Sequence, residues 1–331
     1  MPSVSRGEVA GWSSVVLESD GLRAVVLPDK GAELHSLTDR ATGTEILFQA
    51  PWGLNPPGAP PLEGSGDDEF MWNYAGGWQE LFPSVNDTCT YRGRRIPFHG
   101  EVASLPWTYD GTDEGTAGPS ATFVTTCRQT PFRLRRTVTL ADAESALDVA
   151  SVATNHSAKP AHLVWGQHLV VGPPFLEAGC RLDLPARTLV TAPTLWEPET
   201  ARLEPGQEEH WPHARLRGGG TVDLSEIPGA ETGSHDELYV TDLDEGRVSV
   251  LNYRLGLAVE LTWEADLYRW VILWQPYGGA EALPLRGSYA LGIEPWTSRH
   301  DLERSEAAGT AIELGPGESL ESVVRISTRR I

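Results

Sequence analysis

Apolar residues in this chain almost never recur every three or four positions. They come in short runs rich in Val, Leu, Thr, Trp and Tyr, cut off by Gly, Pro, Asn and Asp. Helices require the first pattern and half-buried strands the second, so this feature disfavours helical bundles and βαβ units alike. Strands are predicted near 14–18, 22–27, 121–127, 133–140, 147–154, 162–171, 237–241, 247–253, 258–263, 270–275, 289–295 and 319–326. In Leu22-Arg23-Ala24-Val25-Val26-Leu27 and Phe132-Arg133-Leu134-Arg135-Arg136-Thr137-Val138, polar and apolar residues roughly exchange faces. Turn sequences such as Ser19-Asp20-Gly21, Pro28-Asp29-Lys30-Gly31 and Asp244-Glu245-Gly246 separate the runs.

The expected fold is therefore all-β, a large antiparallel β-sandwich. Two stretches resist regular structure: the Pro-rich segment 51–68, read as a long surface loop lying over a site, and the polar segment 197–220. Neither has the composition of a linker, and sandwiches often exceed about 200 residues as one unit, so one domain over residues 1–331 is expected.

The formal net charge of −20 disfavours non-specific binding to nucleic acid or an anionic membrane. A small neutral ligand is compatible with it, whereas an anionic one needs a local arginine cluster. Three cysteines, Cys89, Cys127 and Cys180, suggest neither a disulfide framework nor a thiolate metal site and fit a reducing, cytoplasmic setting. The first eleven residues carry no apolar signal core. The apolar stretch from Leu163 to Leu176 is broken by Gln167, His168 and two prolines, so no membrane span is expected. Phosphate loops, dinucleotide fingerprints, zinc-protease helices and nucleophile elbows are all missing from the sequence; no cofactor or metal is expected.

Three polar clusters interrupt the β pattern. One is Gly76-Gly77-Trp78-Gln79-Glu80-Leu81-Phe82-Pro83, followed by Arg94-Arg95-Ile96-Pro97-Phe98-His99-Gly100-Glu101. Another is Trp165-Gly166-Gln167-His168, after Asn155-His156-Ser157. The last is Leu291-Gly292-Ile293-Glu294-Pro295-Trp296, where the proline biases Glu294 to extended backbone.

In order and spacing, from Gly31-Ala32-Glu33-Leu34 to Glu294-Pro295, these clusters resemble the aldose 1-epimerase (galactose mutarotase-like) family. The resemblance implies a large antiparallel sandwich with a sugar cleft on its concave face. It implies His168 as general acid, Glu294 as general base, His99 as a second histidine at the sugar ring and Asp236 as a hydroxyl-binding carboxylate. Trp78, Gln79 and Gln167 are further substrate-binding candidates. The better-known galactose mutarotases place an arginine-containing segment where this chain reads Gly77-Trp78-Gln79-Glu80, so the resemblance does not name the sugar.

The chemistry needs such a pair. Opening a cyclic aldose takes a proton to the ring oxygen and another from the anomeric hydroxyl, the work of an acid and a base. No metal, nucleotide or covalent intermediate is required. Each residue also has a structural reading: His99 and His168 as histidines satisfied within the fold, Glu294 as one half of a buried ion pair with Arg286 or Arg299, Asp236 as a solvated loop carboxylate. Of the twelve tryptophans, most are expected in the core, with Trp78 the first choice for stacking on a sugar. Arg94 and Arg95, candidates for a phosphate or sulfonate, would point to opposite faces of a strand, so only one could reach a cleft. His162, His235 and His300 are read as surface or structural. A non-catalytic sugar-binding protein on the same scaffold is the rival function; a lyase or hydrolase ranks last, because a glycosidase wants two carboxylates and only Glu294 qualifies.

Overall fold

In a computed structural model of the chain, residues 2–61, 69–113 and 118–331 are described. Their architecture is two large antiparallel sheets. The first has twelve strands. Its order runs Ser3–Val9, Trp12–Glu18, Leu22–Leu27, Glu33–Asp39, Trp78–Leu81, Gly166–Val171, Leu291–Trp296, Trp270–Tyr277, Ser234–Leu243, Ala186–Thr191 and Glu208–His210, and Thr44–Glu45 adds to Glu33–Asp39. The second has eight strands, in the order Arg181–Asp183, Arg247–Asn252, Leu257–Trp263, Ser319–Arg330, Ala146–Asn155, Phe132–Leu140, Ser120–Thr126 and Thr108–Asp113.

The alternation read from the sequence is visible in burial. Along Phe132–Leu140 every second residue is buried, Phe132, Leu134, Arg136, Val138 and Leu140. These side chains meet Trp78, Leu169, Val271, Leu273 and Ile293 of the large sheet in the main core. The opposite face of the large sheet is also covered: Leu81, Val170, Tyr239, Ile272, Trp274 and Trp296 pack with Phe48, Phe70, Tyr74 and Leu302 in a separate cluster. The central strands are thus buried on both faces, which explains why Gly166–Val171 and Leu291–Trp296 read as nearly continuous apolar runs.

Most predicted strands fall within a residue or two of observed ones, and two regions differ. The expected run 162–171 is two strands in different sheets, Ala161–Leu163 pairing with Ile312–Leu314 and Gly166–Val171 in the large sheet. Between them Trp165 bonds to Thr297 through both backbone groups. Gly166 lies so close to Trp296 and Val85 that a Cβ would come within 2.8 Å of both. The segment 197–220 also contains strands, Glu208–His210 and His213–Arg215. Residues 62–68 of the other loop lie outside the described residues. Its earlier part is docked: the Trp12 indole donates to the Asn55 carbonyl and the Trp52 indole to the Tyr74 carbonyl.

One polar group lies where a sandwich should be driest. Glu80 is fully buried between the sheets and accepts from the Trp165 indole (2.5 Å), the Gln167 amide (2.9 Å) and the Ser151 hydroxyl (2.9 Å). The buried Arg136 guanidinium stands 3.4 Å from it and donates to the Ala32 carbonyl. Removing one member of a buried pair strands the other charge. Glu80→Ala should therefore destabilise the fold by about 3–5 kcal/mol, measured by denaturant unfolding against the wild type.

Candidate functional site

Neighbouring strands bring one row of side chains onto the outer face of the large sheet. Ladder pairing puts Gln79 opposite His168, Glu294 opposite Ile272, and Ile272 opposite Tyr239. The flanking pairs Leu169–Ile293 and Gly166–Trp296 set His168 opposite Glu294. The row floors a cavity of about 620 Å³. Phe70 and Tyr74, on and just after the short helix Glu69–Asn73, stand over the histidine, each with its ring centroid 5.4 Å from that of His168. Trp274 and Trp296 supply further aromatic wall, while Asn86, Asp87, Arg299, His300 and Arg304 stand at the rim.

His168 Nε2 and Glu294 Oε1 are 3.6 Å apart, near each other but beyond a direct hydrogen bond. No arginine pairs with Glu294 among the described residues: Arg286 donates to the Glu281 carbonyl and Arg299 to His300. Gly292, one residue pair along the strand, makes room for the acid, since a Cβ there would sit 2.7 Å from Glu294 Oε1.

Burial decides the protonation of the pair. Glu294 is pushed well above the usual carboxylate range by burial, with the Glu237 carboxylate adding to the shift. His168 is pulled down to about 4, chiefly by burial. Burial therefore favours the neutral form of both groups, with the shared proton on the glutamate rather than on the imidazole. Gln79 fixes which histidine nitrogen is bare. Its amide nitrogen is taken by Glu33 Oε2 (3.0 Å) and the Gly76 carbonyl (2.6 Å), so its oxygen faces His168 Nδ1 at 3.1 Å. Nδ1 then carries the hydrogen and Nε2 presents a lone pair toward Glu294. Behind Gln79, Glu33 is paired with the buried Lys30, and this ion pair anchors the chain of contacts.

His99 reaches the same cavity from a left-handed turn (φ 60°). Its Nδ1 accepts from the Asn86 backbone N–H at 3.1 Å. In the neutral ring, favoured by burial and by the nearby His168, the other nitrogen is a donor. Its ring centroid is 5.4 Å from that of His168.

The structure thus gathers His168, Glu294 and His99 in one cavity and puts Gln79 behind His168. The other sequence candidates lie on the far side of the sheet. Trp78 and Gln167 point into the inter-sheet core, where the indole donates to the amide oxygen at 2.8 Å. Asp236 is neither a cavity residue nor a solvated loop carboxylate: it is buried on a strand and accepts from the Arg202 and Leu203 backbone N–H groups and from Arg202 Nε (2.6 Å). Its neighbour Glu237 takes the cavity position, receiving the Tyr239 hydroxyl at 2.8 Å, and burial raises its carboxyl. A one-residue slip on a strand exchanges faces, and choosing Asp236 over Glu237 is that slip. His235 is structural, bridging Glu197 and the Trp274 indole. Arg94 and Arg95 lie on an exposed hairpin strand and do not line the cavity.

A family model described as a domain of unknown function, DUF4432, matches residues 10–327. The chain belongs to that family. A comparison of this DUF4432 sequence with curated proteins finds no match. Solved structures share its fold at low identity. The Slr1438 protein of Synechocystis sp. PCC 6803 is 16% identical with a TM-score of 0.67, over 100% of this chain and 97% of that one. A galactose mutarotase-like protein of Clostridium acetobutylicum is 15% identical, TM-score 0.66, over 100% and 99%. A galactose mutarotase related enzyme of Lactobacillus acidophilus is 17% identical, TM-score 0.65, over 96% and 97%. These likenesses place the DUF4432 chain on the mutarotase-like β-sandwich scaffold. No described helix is long and apolar enough to cross a membrane.

Glu237 and Asp236 should separate in the laboratory. Asp236→Asn weakens charge-assisted bonds to Arg202 and should cost about 2 kcal/mol of stability. Glu237→Gln copies the shape of the protonated acid, so its unfolding midpoint should stay near the wild type. Denaturant melts of both variants check this.

Proposed function

We propose that this protein is an isomerase of the aldose 1-epimerase type, interconverting the anomers of a sugar in the cytoplasm. The observation that carries the reading is the His168–Glu294 pair, two titratable groups 3.6 Å apart at the floor of an aromatic-walled cavity. The cavity is large enough for a monosaccharide, and the C–H faces of a sugar suit its aromatic walls.

In the resting pair the acid is Glu294 and the base is His168 Nε2. Glu294 delivers its proton to the ring oxygen as the C1–O5 bond breaks, and His168 takes the proton of the anomeric hydroxyl. The products are an open-chain aldehyde, an imidazolium and a carboxylate. After rotation about C1–C2 the C5 hydroxyl attacks the other face. Glu294 now takes that hydroxyl's proton, and His168 returns its own to the forming anomeric oxygen. The family resemblance implies the opposite assignment for ring opening, histidine as acid and glutamate as base; burial, which raises Glu294 and lowers His168, supports the exchanged roles. His99 and Glu237 bind sugar hydroxyls, the first as an N–H donor and the second as a protonated acid held by Tyr239. Glu237 is a second carboxyl in the cavity, but burial favours the protonated form of both acids, an arrangement ill suited to a glycosidase that needs one ionised.

The rate of anomer exchange should be bell-shaped in pH. It falls below about 4, where His168 gains a second proton for the pair and no base is left. It falls again on the alkaline side, above the raised value of Glu294, where the pair loses its only proton. Glu294→Gln should lower the exchange rate by roughly a hundredfold or more while sugar binding persists. NMR exchange spectroscopy on a panel of aldoses measures both effects. Exchange surviving in the variant overturns the roles, and binding without exchange in the wild type marks a sugar-binding protein.

A further inference from the structure

The rim of the cavity differs in charge from its floor. Arg299, His300 and Arg304 all line it, in a chain whose net charge is −20. Arg304 is neutralised locally, with Nη1 2.8 Å from Asp87 Oδ2 and Nε 3.3 Å from Asp301 Oδ2. Arg299 has no carboxylate partner among the described residues. Its guanidinium lies over the Trp270 ring, 5.2 Å from the centroid, and its Nε donates to His300 Nε2 at 3.3 Å. The aromatic face and the histidine hold the cation in place and leave its terminal N–H groups for a ligand.

The surroundings keep this charge uncompensated. The floor acids Glu237 and Glu294 are shifted toward their neutral forms. His300 feels the local field directly: after burial, the largest contributions lowering it are the charges of Arg299 and Arg304, which outweigh the opposing Asp301. Position also fits. Trp270 pairs with Trp296, two residues along the strand from Glu294, so the guanidinium over Trp270 stands beside the acid–histidine pair in the lining of the same cavity.

We infer that this rim is a subsite for an anionic group, a phosphate, sulfonate or carboxylate, carried on the exocyclic carbon of the sugar, with Arg299 as its principal ligand. The inference rests on the sugar reading of the cavity and narrows it to charged sugars. Arg304 and His300 flank the group, and Asp87 limits how many charges the rim accepts. An oxyanion on a half-buried guanidinium forms charge-assisted hydrogen bonds that a neutral sugar cannot.

Calorimetric titration of glucose, galactose and mannose, of their 6-phosphates and of their uronates tests this on the 331-residue chain, with wild type, Arg299→Gln and Arg299→Lys. At low salt at least one charged sugar should bind roughly ten- to a hundredfold tighter than its neutral parent, and the preference should shrink as salt is raised. Arg299→Gln should collapse the ratio toward one, and Arg299→Lys should keep part of it. Comparison of phosphate with carboxylate identifies the preferred group. Neutral sugars binding as tightly as their charged counterparts, a preference that survives Arg299→Gln with the circular dichroism unchanged, or no binding in the panel would each overturn the subsite. Anomer exchange assayed on the same panel separates the two readings. Exchange of neutral sugars without anion preference removes the subsite and keeps the epimerase. Binding of charged sugars that depends on Arg299, without exchange, keeps the subsite and removes the epimerase.

Discussion

The carboxylate of Glu80 ties the two sheets together at the level of the cavity. It is buried on all sides and is met by Trp165 and Gln167 from one sheet region and by Ser151 and Arg136 from the other sheet. A charge in that place is stable only while its partners stay where they are. Gln167 is thereby held inward, and because side chains alternate along a strand, His168 must point outward. The cavity-facing side of the large sheet is set by a polar contact on its other face.

The same alternation orders the rest of the cavity. Gln79 and His168 share a face and meet; Trp78, Glu80 and Gln167 share the opposite one. On Ser234–Leu243, His235, Glu237 and Tyr239 look toward the cavity side, and Asp236, Leu238 and Val240 look to the core. The position chosen by family resemblance at Asp236 was one residue from the cavity-facing one. Asp236 instead pins the 197–220 segment through Arg202, a structural duty that a solvated loop acid would not perform.

Desolvation then gives the pair its chemistry. An isolated glutamate is a poor acid–base partner for a histidine at neutral pH, since it has already lost its proton. Closing Phe70, Tyr74, Trp274 and Trp296 around the pair favours neutral forms, so the glutamate keeps a proton and the imidazole stays bare. The tautomer is supplied from behind, by Gln79 and the buried Lys30–Glu33 pair. A neutral, proton-sharing floor also leaves the rim guanidinium of Arg299 as the dominant uncompensated charge of the cavity.

Much of this was written in the chain. Period-two runs and turn residues determined an antiparallel sandwich, because alternation and short strands are local properties. The isolated polar residues His168 and Glu294 marked themselves by interrupting apolar strands, and His99 by its Gly- and Pro-bounded turn. Other features were not legible. The break between Leu163 and Gly166 depends on Thr297 and Trp296, more than a hundred residues away. Glu237 and Tyr239 could have been favoured over Asp236 by strict counting of alternate residues from Leu238 and Val240 as core. Nothing local marked Phe70, Tyr74 or Arg299 as cavity residues. Their roles come from long-range packing that closes the outer face of the sheet. The sequence determined which strands form and marked His168, Glu294 and His99 as out of place in an apolar pattern, because both depend on neighbours in the chain. Only the tertiary structure decided which face each side chain takes and how far burial moves its proton, because both depend on neighbours in space.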